Sequence, residues 1–74
     1  MKHIYYTRVI SKSLPNLHVV MLDGREVGFF YKPQDAAGDR NAWRSYVGIG
    51  EEAKFLYHTW NKQDAMRAVT VAIR

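Results

Sequence analysis

The residues predict an α+β fold: a single small antiparallel sheet of four to five strands, built around two hairpins, with one C-terminal helix packed on one face. Three observations carry that prediction. Asp23-Gly24 separates two apolar runs. A second pair of alternating runs brackets Gly50-Glu51-Glu52. After Asn61 the apolar period lengthens from two residues to that of an amphipathic helix.

Residues 3–10 (HIYYTRVI) combine β-branched and aromatic types and read as the first strand, apolar on both faces. A polar connection, 11–16, follows; it holds Pro15, which lacks the N–H a ladder needs. Residues 17–22 and 25–31 flank Asp23-Gly24, a dipeptide suited to a type I′ turn because both central positions take positive φ. A regular ladder from that turn pairs Leu22 with Arg25 and Val20 with Val27. It places His18, Val20, Leu22, Val27, Phe29 and Tyr31 on the core face. Leu17, Val19, Met21, Glu26, Gly28 and Phe30 then share the other face, which is too apolar to be bathed wholly in water. Either the N-terminal strand covers it or another molecule does.

Pro33 stops the strand, and 34–41 (QDAAGDRN) is a polar connection. Asp35, Asp39 and Asn41 lack the acidic spacing and closing Glu of a calcium loop. Residues 42–49 alternate, and a three-residue loop at 50–52 returns the chain along 53–60. That loop length opposes Val47 to Phe55 and Tyr46 to Leu56. It sends Trp43, Val47, Ile49, Phe55 and Tyr57 to the core and Arg44, Tyr46, Lys54, Leu56, His58 and Trp60 outward. A loop one residue longer exchanges the last strand's faces. Thr59 or Asn61 caps the helix, with Asp64 in its first turn. Ala65, Met66, Val69, Ala72 and Ile73 form its apolar side, opposite Gln63, Arg67, Thr70 and Arg74. A short helix followed by a strand at 69–73 is the alternative, because VTVAI also fits strand patterning.

Seventy-four residues make one domain, 1–74, with a core of roughly 3–5 kcal/mol at most. There is no cysteine, so disulfides and thiolate metal sites are excluded, and homodimerisation becomes a natural source of added stability. No apolar run approaches the ~20 residues of a membrane span, and the N-terminus lacks the apolar segment of a signal peptide; the expected location is the cytoplasm.

His3, His18 and His58 share no metal-ligand spacing, and no metal or other cofactor is expected. No serine lies in a nucleophile elbow, and the acids concentrate at turns, so an enzyme is not expected. The remaining signal is charge. Eleven Lys and Arg against seven Asp and Glu give a net +4. Arg8, Lys32, Arg44 and Lys54 fall on or beside strands among aromatic residues. Cations that neutralise phosphates beside rings that stack on bases are the chemistry of nucleic-acid binders. The first expectation is therefore a non-catalytic nucleic-acid-binding module. Arg44 and Lys54 serve as phosphate contacts, Tyr46 and Trp60 as stacking contacts, and Lys32 and Arg40 as loop contacts, with His58 and Arg8 beside them. Solubility and protection of sheet edges explain the same charges without a ligand.

The order of elements over 42–73 resembles small DNA-binding modules made of a three-stranded sheet and a helix, such as the AP2-like arms of integrases. The resemblance lies in architecture and not in a motif. The second expectation is a protein-interaction module using Leu17, Val19, Met21 and Phe30. It would be a homodimer or a small phage- or mobile-element-type regulator of a larger partner with an acidic surface.

Overall fold

A computed structural model describes residues 3–14, 16–33 and 43–73. The strands are β1 (Ile4–Arg8), β2 (His18–Leu22), β3 (Arg25–Tyr31), β4 (Trp43–Val47) and β5 (Lys54–Thr59), and the helix is α1 (Lys62–Ala72). The five strands form one antiparallel sheet in chain order, and α1 packs on one face against β3, β4 and β5. This is the expected α+β architecture.

The first hairpin turns at Asp23 (φ 52°) and Gly24 (φ 83°), the positive-φ pair its type I′ geometry requires. The Asp23 carboxylate also accepts the His3 N–H at 2.8 Å, and the Asp23 N–H donates to the His3 carbonyl at 2.9 Å. Those two bonds tie the start of β1 to the turn. β1 therefore lies in the plane of the sheet against β2, from Ile4↔Leu22 to Arg8↔His18. It covers neither face. The strand ends sooner than expected: Val9 and Ile10 lie outside it, although the Val9 N–H still donates to the Leu17 carbonyl at 2.9 Å, and Ile10 is 97% exposed.

Two bulges set which side chains face the helix. Leu22 pairs with Arg25 as expected, but Val20 meets Gly28, leaving Val27 as the extra residue. A bulge reverses the alternation beyond it. Phe30 accordingly turns inward and is fully buried with Val20, Ala65 and Val69, while Phe29 and Tyr31 turn to the opposite face. This corrects the expected core face and removes Phe30 from the candidate protein interface.

In the second hairpin Val47 pairs with Lys54 and Tyr46 with Phe55, one residue from the expected register. The connection includes a short 3₁₀ turn, Gly50–Glu52. Ser45 then pairs with Tyr57, so Leu56 is extra and packs against the core. Phe55 (44% exposed) and Tyr57 (63% exposed) are not the core residues expected, and Ile49 lies at the surface.

Ser45 holds this second bulge. Its buried hydroxyl donates to the Tyr57 carbonyl at 2.9 Å and accepts the Tyr57 N–H at 3.3 Å. Ser45→Ala leaves both main-chain groups without that partner and is expected to cost about 1–3 kcal/mol, read as a lower urea midpoint at unchanged m-value.

The helix starts where the Asn61 side chain accepts the Asp64 N–H at 2.8 Å, one of the two expected caps. It continues to Ala72, with Ala65 and Val69 fully buried, Met66 and Ile73 half-buried, and Ala72 exposed. The strand alternative for 69–73 does not form. Asn61→Ala is expected to cost about 1 kcal/mol, with loss of amide protection confined to the first helical turn.

Candidate functional site

With α1 on one side, the opposite face of the sheet is the open one: among the described residues no helix or strand packs on it. Strand alternation assigns it Tyr5 and Thr7 from β1, Val19 and Met21 from β2, and Glu26, Phe29 and Tyr31 from β3. Arg44 and Tyr46 come from β4, and Phe55 and His58 from β5. The register opposes Thr7, Val19, Phe29, Tyr46 and Phe55 directly, so they cross all five strands as one row.

The rings of that row touch. Phe29 stacks on Tyr46 with centroids 4.7 Å apart, Tyr31 stacks on Tyr46 at 6.0 Å, and Phe55 meets Tyr46 edge-on at 5.4 Å. His58 lies 4.9 Å from Phe55. Beside the rings is a largely apolar depression of about 310 Å³ lined by Leu14, Leu17, Val19, Glu26, Phe29, Ile49 and Gly50.

Burial among these rings, and then a hydrogen bond with the Tyr31 hydroxyl, raise the pKa of Tyr46 above its ordinary 10.0; the nearby Arg44 charge opposes them. A raised folded-state value means the neutral phenol is favoured in the fold. The associated stability is complete below about pH 10 and is lost as pH rises through the raised value. The expected urea-midpoint profile is flat in this respect up to about pH 10 and declines above it, and Tyr46→Phe removes that part of the decline.

Of the nucleic-acid candidates, the sheet brings Arg44, Tyr46 and His58 together on the open face. Lys54 pairs with Val47 on the helix side, and Arg8 pairs with His18 on that same side at the far edge. Trp60 stands at the corner between β5 and α1, 61% exposed. Lys32 lies just past β3, exposed, with its carbonyl accepting the Asn16 side-chain amide at 3.3 Å. Arg40 lies outside the described residues. Arg44 is the only Lys or Arg that the described strands place on the open face.

Of the protein-interface candidates, Val19 and Met21 lie on the open face and Leu17 lines its depression; Phe30 is enclosed on the other side. Sequence reasoning missed Phe29, Tyr31, Phe55, Leu14 and Ile49. Gly28 inside a strand was the available signal for the first two, since such a glycine often marks a bulge.

Among the described residues, no group of three or more His, Asp or Glu side chains is placed to hold a metal ion. No described helix is long and apolar enough to cross a membrane, which leaves open a span made of strands. In comparisons with known proteins, no family model, curated protein or solved structure matches the chain.

Proposed function

We propose that the chain is a non-catalytic, cytoplasmic interaction module that binds a protein through the open face of its sheet. The observation that carries this reading is the uncharged aromatic row Phe29, Tyr46 and Phe55, continued by the buried Val19, beside the depression of Leu14, Leu17 and Ile49. Contiguous apolar surface enriched in aromatic residues and poor in charge at its centre is the composition of an interface core. The strand bases that motivated a nucleic-acid partner are divided between the two faces, and among the residues of the described strands Arg44 alone supplies full positive charge here.

The test uses Phe55→Asp, at an exposed edge of the face. A protein captured by the wild-type chain, identified and reconstituted from purified components, is expected to bind the variant at least tenfold more weakly, with the variant's circular dichroism unchanged. Equal binding by the two chains rejects the reading.

Nucleic acid is the second reading, and Arg44 beside the Tyr31 and Tyr46 rings supports it. Titration with short single- and double-stranded DNA and RNA at about 50 and 200 mM salt addresses it. Arg44→Ala should then flatten the log–log salt slope by about one unit. Absence of binding at the lower salt removes this second reading.

A further inference from the structure

We propose that the occupant of the open face is the same face of a second copy of the chain, in a two-fold dimer whose axis follows the row Val19, Phe29, Tyr46 and Phe55. The proposal rests on the reading of this face as protein-binding and names the protein.

Charge is ordered across the face. The strand register arranges it in three parallel rows. The middle row, from Thr7 to Phe55, carries no charge. On one side lie Tyr5, Met21 and Glu26, and on the other Tyr31, Arg44 and His58. Both flanking rows stand two ladder positions from the middle: Met21 from Val19 on β2, and Arg44 from Tyr46 on β4. The turn sets Glu26 opposite Met21 and the Val27 bulge then brings Phe29 opposite Val19, so acid and base stand about 6–7 Å to either side of the middle row.

A two-fold axis relating two sheets packed face to face must lie in the plane between them. Rotation about the middle row places each of its residues on its own counterpart and lays each acidic row over the other copy's basic row. Glu26 of each copy then lies over Tyr31 of the other, one strand spacing of about 4.8 Å from that copy's Arg44 and within reach of its long side chain, twice per dimer, around an aromatic centre. The face is thus self-complementary in the sense a two-fold interface requires. Arg44 is exposed, and a guanidinium's five donors can serve more than one acceptor. The result is a pair of aligned sheets about 10 Å apart with the helices outside. Burial also motivates it: the buried apolar residues of the described chain are only Val19, Val20, Phe30, Ala65 and Val69, a small core for a stable monomer.

The experiment is sedimentation of the full chain from about 1 μM to 1 mM, a range covering weak to firm association. The wild type is expected to show a concentration-dependent monomer–dimer equilibrium. Glu26→Arg and Arg44→Glu each convert both ion pairs to like-charge contacts and are expected to weaken the dimer roughly 100-fold or more. An equimolar mixture of the two variants re-creates opposite charges at both contacts. It is expected to dimerise within about tenfold of wild type, with native mass spectrometry showing one copy of each. A wild-type monomer throughout the range, or a mixture no tighter than the separate variants, overturns the proposal. If the wild type is monomeric yet Phe55→Asp still loses a captured protein, the dimer fails and the protein-binding reading stands.

Discussion

Phe30→Ala should remove about 3–5 kcal/mol of stability and leave the chain largely unfolded at 37 °C. Phe30 has no exposed surface and is the largest fully buried side chain among the described residues. His18 stacks on it nearly parallel at 5.1 Å, with Tyr6 and Trp43 edge-on at 5.4 and 5.9 Å. Truncation removes a ring from the middle of that group and opens a void between the sheet and α1, where Ala65 and Val69 complete the enclosure. Total stability for 74 residues is on the order of 4–11 kcal/mol, so a loss of this size takes roughly a quarter or more. Urea denaturation and near-ultraviolet circular dichroism from Trp43 measure it. Phe29→Ala, one residue away on the open face, is expected to cost only about 1–2 kcal/mol. The pair therefore checks the bulge directly, because a regular ladder predicts the opposite order.

That contrast locates the boundary of what was legible. Asp23-Gly24 fixed the first turn and Asn61 the helix cap, because each is a local device whose backbone requirement is written in one or two residues. The sheet and its helix follow from them. Face assignment is different: it accumulates along a strand, and one extra residue reverses everything beyond it. Glu26, between the turn and the first bulge, lies where alternation puts it; Phe29, Phe30 and Tyr31, beyond the bulge, do not. In β5 two departures cancel. The hairpin register shifts Phe55 outward, and the bulge at Leu56 restores His58 to the face expected of it.

The candidate site shows the same division. Arg44, Tyr46 and His58 were legible as neighbours because β4 alternates without interruption and His58 regains its side. Lys54 was misplaced for the reason Phe55 was, and with it went half of the expected cationic surface. Hydrophobic patterning could not reveal either change, since Phe29 and Phe30 are the same residue type and their exchange leaves composition untouched. What distinguishes them is the space available at Gly28.

Gly28→Ala should destabilise the chain by about 1–3 kcal/mol, and Gly28→Val by more, although the site is a strand where β-branched residues are ordinarily favoured. A Cβ at Gly28 would stand 2.6 Å from the Tyr46 carbonyl oxygen and 2.7 Å from Val69 Cγ1. The first contact is main chain in the adjacent strand; the second is the side chain by which α1 seats on the sheet. Adding the methyl therefore pushes on β4 and on the helix at once. Val69→Ala removes the second contact and leaves the first. A double-mutant cycle is accordingly expected to show a favourable coupling of about 0.5–1.5 kcal/mol, with Gly28→Ala still costly in the Val69→Ala background. Strict additivity would mean that the helix does not seat on Gly28, and a neutral Gly28→Ala would mean that β3 and β4 do not approach as closely as the register requires. The same substitution bears on the open face. Phe29 and Tyr46 stack on the far side of the ladder that Gly28 keeps narrow, so displacing β4 disturbs their contact. Gly28→Ala is thus expected to weaken whatever binds the middle row, even though its own Cβ would point toward the helix.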